Sequence, residues 1–160
     1  MSEVRKLVEF YEMESHPEGG WYKETFRSQE SITIENIGTR NLMTSIYFLL
    51  ESHQTSNFHR IKSDELWFYH SGSALTVHCI LPNGEYKKIH IGPDFEKGQT
   101  YQALVPKGTI FGSTVDLRDS YSMVGCTVSP GFDFNDFELF NTSDLLKEFP
   151  QHQPIITQLT

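Results

Sequence analysis

Phe58-His59-Arg60-Ile61-Lys62-Ser63-Asp64-Glu65-Leu66-Trp67-Phe68-Tyr69-His70-Ser71-Gly72 is the stretch whose reading decides the fold. Side chains alternate across an extended strand, so His59 and Ile61 share one face of a first strand. Glu65, Trp67 and Tyr69 share one face of the next. His70 has the opposite parity and is expected to face away. If His59 and Glu65 both point inward, a base and a carboxylate meet inside an aromatic-lined cavity, where the carboxylate can orient the imidazole and raise its basicity.

The surrounding sequence supplies more of the same. Arg40 to Leu50, Ala74 to Leu81 and Tyr121 to Val128 are further β-rich runs. Between the runs lie Ser71-Gly72-Ser73, Pro82-Asn83-Gly84, Gly92-Pro93 and Pro106-Lys107-Gly108, all turn-forming. Asn83-Gly84 between apolar flanks predicts a hairpin with a type I′ turn. Helices are expected only at the ends. Ser2 caps a first one whose Val4, Leu7, Val8 and Tyr11 fall on one face, and Thr142-Ser143-Asp144 caps a closing one over Leu145 to Phe149. Between them His16-Pro17-Glu18-Gly19-Gly20 breaks the chain and reads as a loop over the mouth of the fold. About nine or ten short strands imply an all-β sandwich or barrel, and no helices alternate with them to build a parallel α/β sheet.

The chain has 160 residues, the size of one domain, and no repeat or linker divides residues 1–160. Asp and Glu outnumber Lys and Arg, 21 to 13, for a net charge of −8. That balance argues against nucleic acid or an anionic membrane as partner. No apolar run is long enough to span a bilayer. The opening Met1-Ser2-Glu3-Val4-Arg5 lacks the pattern of a secretory leader, so a cytoplasmic protein is expected. Cys79 and Cys126 are too few for a disulfide framework and read as buried thiols.

The decisive stretch resembles the first motif of the cupins, small jelly-roll barrels. His59, Glu65 and Gly72 fall where that motif places a His, a Glu and a Gly, and Pro106-Lys107-Gly108 matches the middle of the second motif. Two of the usual four metal ligands are replaced, by Ile61 and Phe111. A metal at His59 and Glu65 would therefore need recruited ligands, so neither a metal nor another cofactor is expected. His16 to Ser28, Phe58 to Trp67, Val105 to Gly112 and Val124 to Phe134 are similar to one small cupin family catalogued as predicted sugar epimerases. The resemblance implies a cupin double-stranded β-helix, a pocket inside the barrel and a homodimer.

On that basis His59 and Glu65 are the candidate catalytic pair. Arg27, Tyr47, Trp67, Tyr69 and Phe111 are the candidate ligand-binding residues. An inward Arg27 would hold a phosphate or carboxylate. Trp67 and Tyr69 are either core or aromatic walls, and Phe111 an apolar wall. Tyr47 or Tyr121 would supply a general acid. The implied function is metal-independent epimerisation or isomerisation of a sugar or sugar-nucleotide by His acid–base chemistry. The alternatives are a non-catalytic module binding a small ligand such as a carbohydrate, and a metal-dependent enzyme.

Overall fold

A computed structural model describes residues 2–160 of the chain. Helix α1 (Glu3–Phe10) is capped by the Ser2 hydroxyl, which accepts from the Arg5 N–H, as expected of a Ser before a first turn. Thirteen strands follow: β1 (Glu14–Ser15), β2 (Trp21–Arg27), β3 (Ser31–Ile34), β4 (Gly38–Asn41), β5 (Thr44–Glu51), β6 (Ser56–Arg60), β7 (Asp64–Gly72), β8 (Leu75–Ile80), β9 (Tyr86–Ile91), β10 (Gln102–Val105), β11 (Ile110–Val115), β12 (Tyr121–Ser129) and β13 (Glu138–Leu139). The chain closes with α2 (Thr142–Glu148) and α3 (Gln153–Gln158). The expected closing helix thus begins three residues earlier than Leu145, with Asn141 as its cap, and a second short helix follows it.

Two antiparallel sheets face each other as a jelly-roll barrel. One has six strands in the order β1-β2-β5-β12-β7-β10, the other five in the order β13-β6-β11-β8-β9. β3 and β4 form a separate hairpin, and the single run read from Arg40 to Leu50 is broken between them and β5. The expected hairpin joins β8 to β9, but only Gly84 of its Asn83-Gly84 pair has positive φ. A type I′ turn needs both, so the connection is instead a three-residue loop ending in a left-handed glycine.

The main core lies between the sheets, where Phe48, Trp67, Val77, Phe111 and Val124 are all buried. A second cluster forms outside the five-stranded sheet. There Phe58, Ile80 and Ile110 meet Leu145, Ile156 and Leu159 of the C-terminal helices. β6 is thus covered on both sides: Phe58 faces the helices, while His59 faces the barrel. Asp136 is buried under a two-pronged contact from Arg40, with Nε to Oδ2 at 2.7 Å and Nη2 to Oδ1 at 2.8 Å. No helix among the described residues is long and apolar enough to cross a membrane.

Candidate functional site

A cavity of about 280 Å³ opens between the sheets, lined from β2, β5, β6, β7 and β12 and from the segments before β2 and after β12. His59 and Ile61 both reach it, as do Glu65 and Trp67, so the alternation read from the sequence holds on both strands. Phe111 pairs directly across from His59, and its ring lies 4.1 Å from the imidazole, centroid to centroid. It backs the histidine as an apolar wall rather than lining the cavity.

The partner of His59 is Glu18, not Glu65. The Glu18 carboxylate stands 2.9 Å from His59 Nε2 through Oε2, and its Oε1 accepts from the Ser56 hydroxyl at 2.9 Å. His59 Nδ1 lies 2.7 Å from the Asn57 carbonyl. A carbonyl only accepts, so Nδ1 carries a proton, and an imidazolium facing a carboxylate satisfies both ends. Burial opposes the charge on His59, but Glu18, the Asn57 carbonyl and Glu65 together outweigh it and raise the pKa. Burial likewise works against ionised Glu18, but His59, His16 and Ser56 hold its pKa low.

The loop before β2 brings Glu18 there. Gly19 has φ +109°, and a Cβ on it would lie 2.1 Å from the Thr55 carbonyl oxygen. A Cβ on Gly20, at φ +78°, would lie 2.8 Å from the Leu49 carbonyl oxygen. Only glycine permits this backbone to fold down onto the β5–β6 connection. The Glu18 carbonyl then accepts from the Asn57 N–H at 2.7 Å, which fixes the loop to β6. His16, at the start of the same turn, accepts the Glu18 backbone N–H at Nδ1, 3.2 Å away. Its proton therefore sits on Nε2. Burial, with help from the charge on His59, lowers its pKa despite Glu18, and the ring is neutral.

Glu65 is the unusual group. It is 8% exposed and lines the cavity, and the polar group beside it is the Cys126 thiol. Burial pushes its pKa up to about 7, Glu18 adds to the rise, and His59 and Cys126 only partly oppose it. Burial beside Glu65 in turn drives the Cys126 thiol far above the ordinary range, so it is an inert wall.

Arg27 reaches the cavity because of a β-bulge. The register of β2 against β5 slips between Glu24 and Phe26, so Glu24 keeps its inward place opposite Ile46 while Phe26 turns out. Arg27 then falls inward again, opposite Thr44. Four of its five N–H donors are engaged. Nε and Nη2 bind the Glu24 carboxylate at 3.0 and 2.8 Å, and Nη1 binds Asn41 Oδ1 and the Phe132 carbonyl at 2.8 and 3.1 Å. The charge expected to hold an anion is thus already matched by Glu24, with one N–H left over.

Three other expectations fail on position. Tyr47 has the opposite parity to Ile46 and Phe48. It packs outside the six-stranded sheet between Tyr11 of α1, at 4.8 Å, and His70, at 5.5 Å. Tyr69 keeps the parity of Glu65 and packs against the core, but it lies farther along β7 than the cavity reaches, its hydroxyl donating to the Gly72 carbonyl at 2.8 Å. Tyr121 lines a groove with Ser2 and Gly72 instead. Tyr22 of β2 is the tyrosine that lines the cavity. His16, Glu18 and Tyr22 are thus the functional residues the alternation of strands missed. The paired glycines after Glu18 were the one local signal, since they demand a close backbone approach.

The donor set does not suit a metal. Both nitrogens of His59 are spent on Glu18 and Asn57, which leaves no lone pair for Glu65 to complement. Among the described residues no group of three or more His, Cys, Asp or Glu is placed to hold an ion.

Comparisons with known proteins agree with this architecture. A structural-genomics protein from Shewanella oneidensis is 43% identical, with a TM-score of 0.91 over 100% of this chain and 98% of that one. A hypothetical protein from Leishmania major is 37% identical, with a TM-score of 0.94 over 99% of each. An uncharacterized protein of Saccharomyces cerevisiae is 28% identical over 91% of this chain and 79% of its own length. Residues 5–140 match the family described as Cupin superfamily (DUF985), a span that holds the Glu18 loop, the His59 and Glu65 strands and both sheets. The barrel and its polar interior therefore belong to a member of that cupin family.

Proposed function

We propose that the protein binds a small polar molecule inside the barrel and moves a proton on it, as a metal-independent isomerase or epimerase of a sugar-like hydroxycarbonyl compound. The observation that carries this is Glu65, a buried carboxyl opening onto the cavity with a pKa near neutrality. A group so poised is populated in both its acid and base forms at neutral pH, which suits general acid–base work. His59, in the imidazolium form against Glu18, is unsuited to be the base and contributes fixed charge instead. In this reading ionised Glu65 removes the proton on the carbon next to the carbonyl. The C–H electron pair becomes the enolate, whose oxygen takes a hydrogen bond from His16 Nε2–H. Glu65 then returns the proton to the neighbouring carbon while the hydroxyl proton passes to the enolate oxygen, so carbonyl and hydroxyl change places. Inversion at the same carbon takes its proton instead from the opposite face, from solvent. The cavity, about 280 Å³, has the size of a monosaccharide-like ligand.

A second reading, binding without turnover, is favoured by the complete internal satisfaction of His59, as in a brace between strands. One experiment separates the two. Simple aldoses, ketoses and sugar-nucleotides are incubated with the protein in D₂O, and loss of the proton next to the carbonyl is followed by NMR. Wild-type protein is expected to exchange it, and Glu65→Gln to bind the same compound without exchange. Binding without exchange by wild type leaves the binding module. No binding of any of them overturns the carbohydrate reading.

A further inference from the structure

We propose that the molecule held in this cavity carries an ammonium group, and that the cavity selects against phosphates and carboxylates. The inference rests on the cavity being the ligand site but not on proton transfer taking place there.

The argument begins with the balance of charge on the walls. Four carboxylates line the cavity, Glu14, Glu18, Glu24 and Glu65, against two cationic groups, Arg27 and His59. Both cations are already matched within the protein. Arg27 gives two of its five donors to Glu24 and two more to Asn41 and the Phe132 carbonyl, and His59 is bridged between Glu18 and Asn57. An incoming anion would find a single unspent guanidinium N–H, no cation without a counter-charge, and would face Glu14 and Glu65. The unspent charge is acidic.

The second observation is independent of that balance. Glu65 is more than nine-tenths buried, its surface opens into the cavity, and its polar neighbour is a thiol, a weak donor. A buried carboxyl left so poorly paired is costly unless a ligand completes it. Tyr22, Phe48, Trp67, Phe132 and Phe134 form the other walls. Aromatic faces beside a carboxylate are the surroundings that recognise organic cations. The groups facing Glu65 from packed elements are His59 of β6, Glu18 and His16 of the loop, Cys126 of β12, and Glu24 with Arg27 of β2. None of these offers Glu65 an unspent positive charge.

The proposal fixes a sign. An ammonium ligand binds the ionised form of Glu65, so binding releases a proton and tightens as pH rises through neutrality. An anion would prefer the protonated form and show the reverse. The test uses the intact protein and two size-matched series in isothermal titration: glucamine, sorbitol and gluconate, and benzylamine, benzyl alcohol and benzoate. In at least one series the amine is expected to bind about tenfold more tightly than its neutral twin, the order of one desolvated cation–π contact with its counter-charge. Its affinity is expected to rise about tenfold from about pH 6 to about pH 8, with proton release seen in buffers of different ionisation enthalpy. Glu65→Gln should abolish both differences while unfolding cooperatively. Glu24→Gln, which frees Arg27, should narrow the gap between amine and carboxylate. Tighter binding of the carboxylates, amines no tighter than the neutral twins, or no binding by any of the six overturns the proposal. Deuterium exchange on hydroxycarbonyl compounds is a separate readout, so either idea can fail while the other stands.

Discussion

Replacing Glu65 by glutamine should make the protein more stable, and only at alkaline pH. The carboxyl's pKa is raised from 4.5 to about 7 by burial in the barrel. At about 1.4 kcal/mol per unit, that rise is worth about 3 kcal/mol between the two protonation states. The folded state holds this proton more tightly than the unfolded chain does. Its stabilising contribution is therefore complete below the ordinary value of 4.5 and is lost as pH rises through about 7. Above that, folding carries the cost of a buried, ionised and poorly paired carboxylate. Glutamine has nearly the same shape and never ionises. The variant should match wild type at about pH 4.5 and exceed it by about 3 kcal/mol at about pH 8.5, a Tm gain of about 6–12 °C for a chain of this size. Urea unfolding followed by the fluorescence of buried Trp67 measures both ends of the range. A difference that does not change with pH, or a variant less stable at the alkaline end, would refute the account of Glu65. A gain would mean that wild type keeps a destabilising group at its cavity, as expected where function sets the residue.

Two further substitutions test the loop that covers the barrel. Glu18→Gln leaves the His59 imidazolium buried without its counter-charge. It should cost about 3–5 kcal/mol at about pH 5.5, where wild type has both groups ionised. The contribution of Glu18, whose pKa is lowered, is complete above its ordinary 4.5, and that of His59, whose pKa is raised, below its ordinary 6.5. The cost should therefore shrink as pH rises through the folded pKa of His59, and NMR of the ring should show that pKa falling in the variant. An equal cost at alkaline pH would mean that the pair is held by neutral hydrogen bonds. Gly19→Ala places a Cβ against the Thr55 carbonyl at positive φ and should cost more than about 1 kcal/mol. It should also lower the His59 pKa by loosening Glu18, and an unchanged value by NMR titration would detach the glycine from the ion pair.

Much of the architecture was legible because it depends on local rules. Alternation put His59, Ile61, Glu65 and Trp67 on inward faces, and all four reach the cavity. The same rule failed where a strand is irregular. The slip between Glu24 and Phe26 reverses the parity of β2, and no composition signal marks it, because Thr25 and Phe26 are ordinary strand residues. Tyr69 keeps the inward parity, and what alternation does not show is how far along β7 the cavity extends. Tyr47 was a matter of covering: its face of β5 belongs to α1, and which sheet face a terminal helix takes is a long-range choice.

The sequence by itself determined the all-β class, the terminal helices, the turns that divide most strands and the inward pair on β6 and β7. Each follows from side-chain periodicity, from the backbone freedom of glycine or from the fixed φ of proline, which act over a few residues. Only the tertiary structure decided that His59 answers to Glu18, some forty positions away, and that Arg27 is spent on Glu24. It also decided that Glu65 is left with a thiol for company. Ion pairing and desolvation depend on which groups share a low-dielectric space, and that space exists only once the two sheets have closed around it.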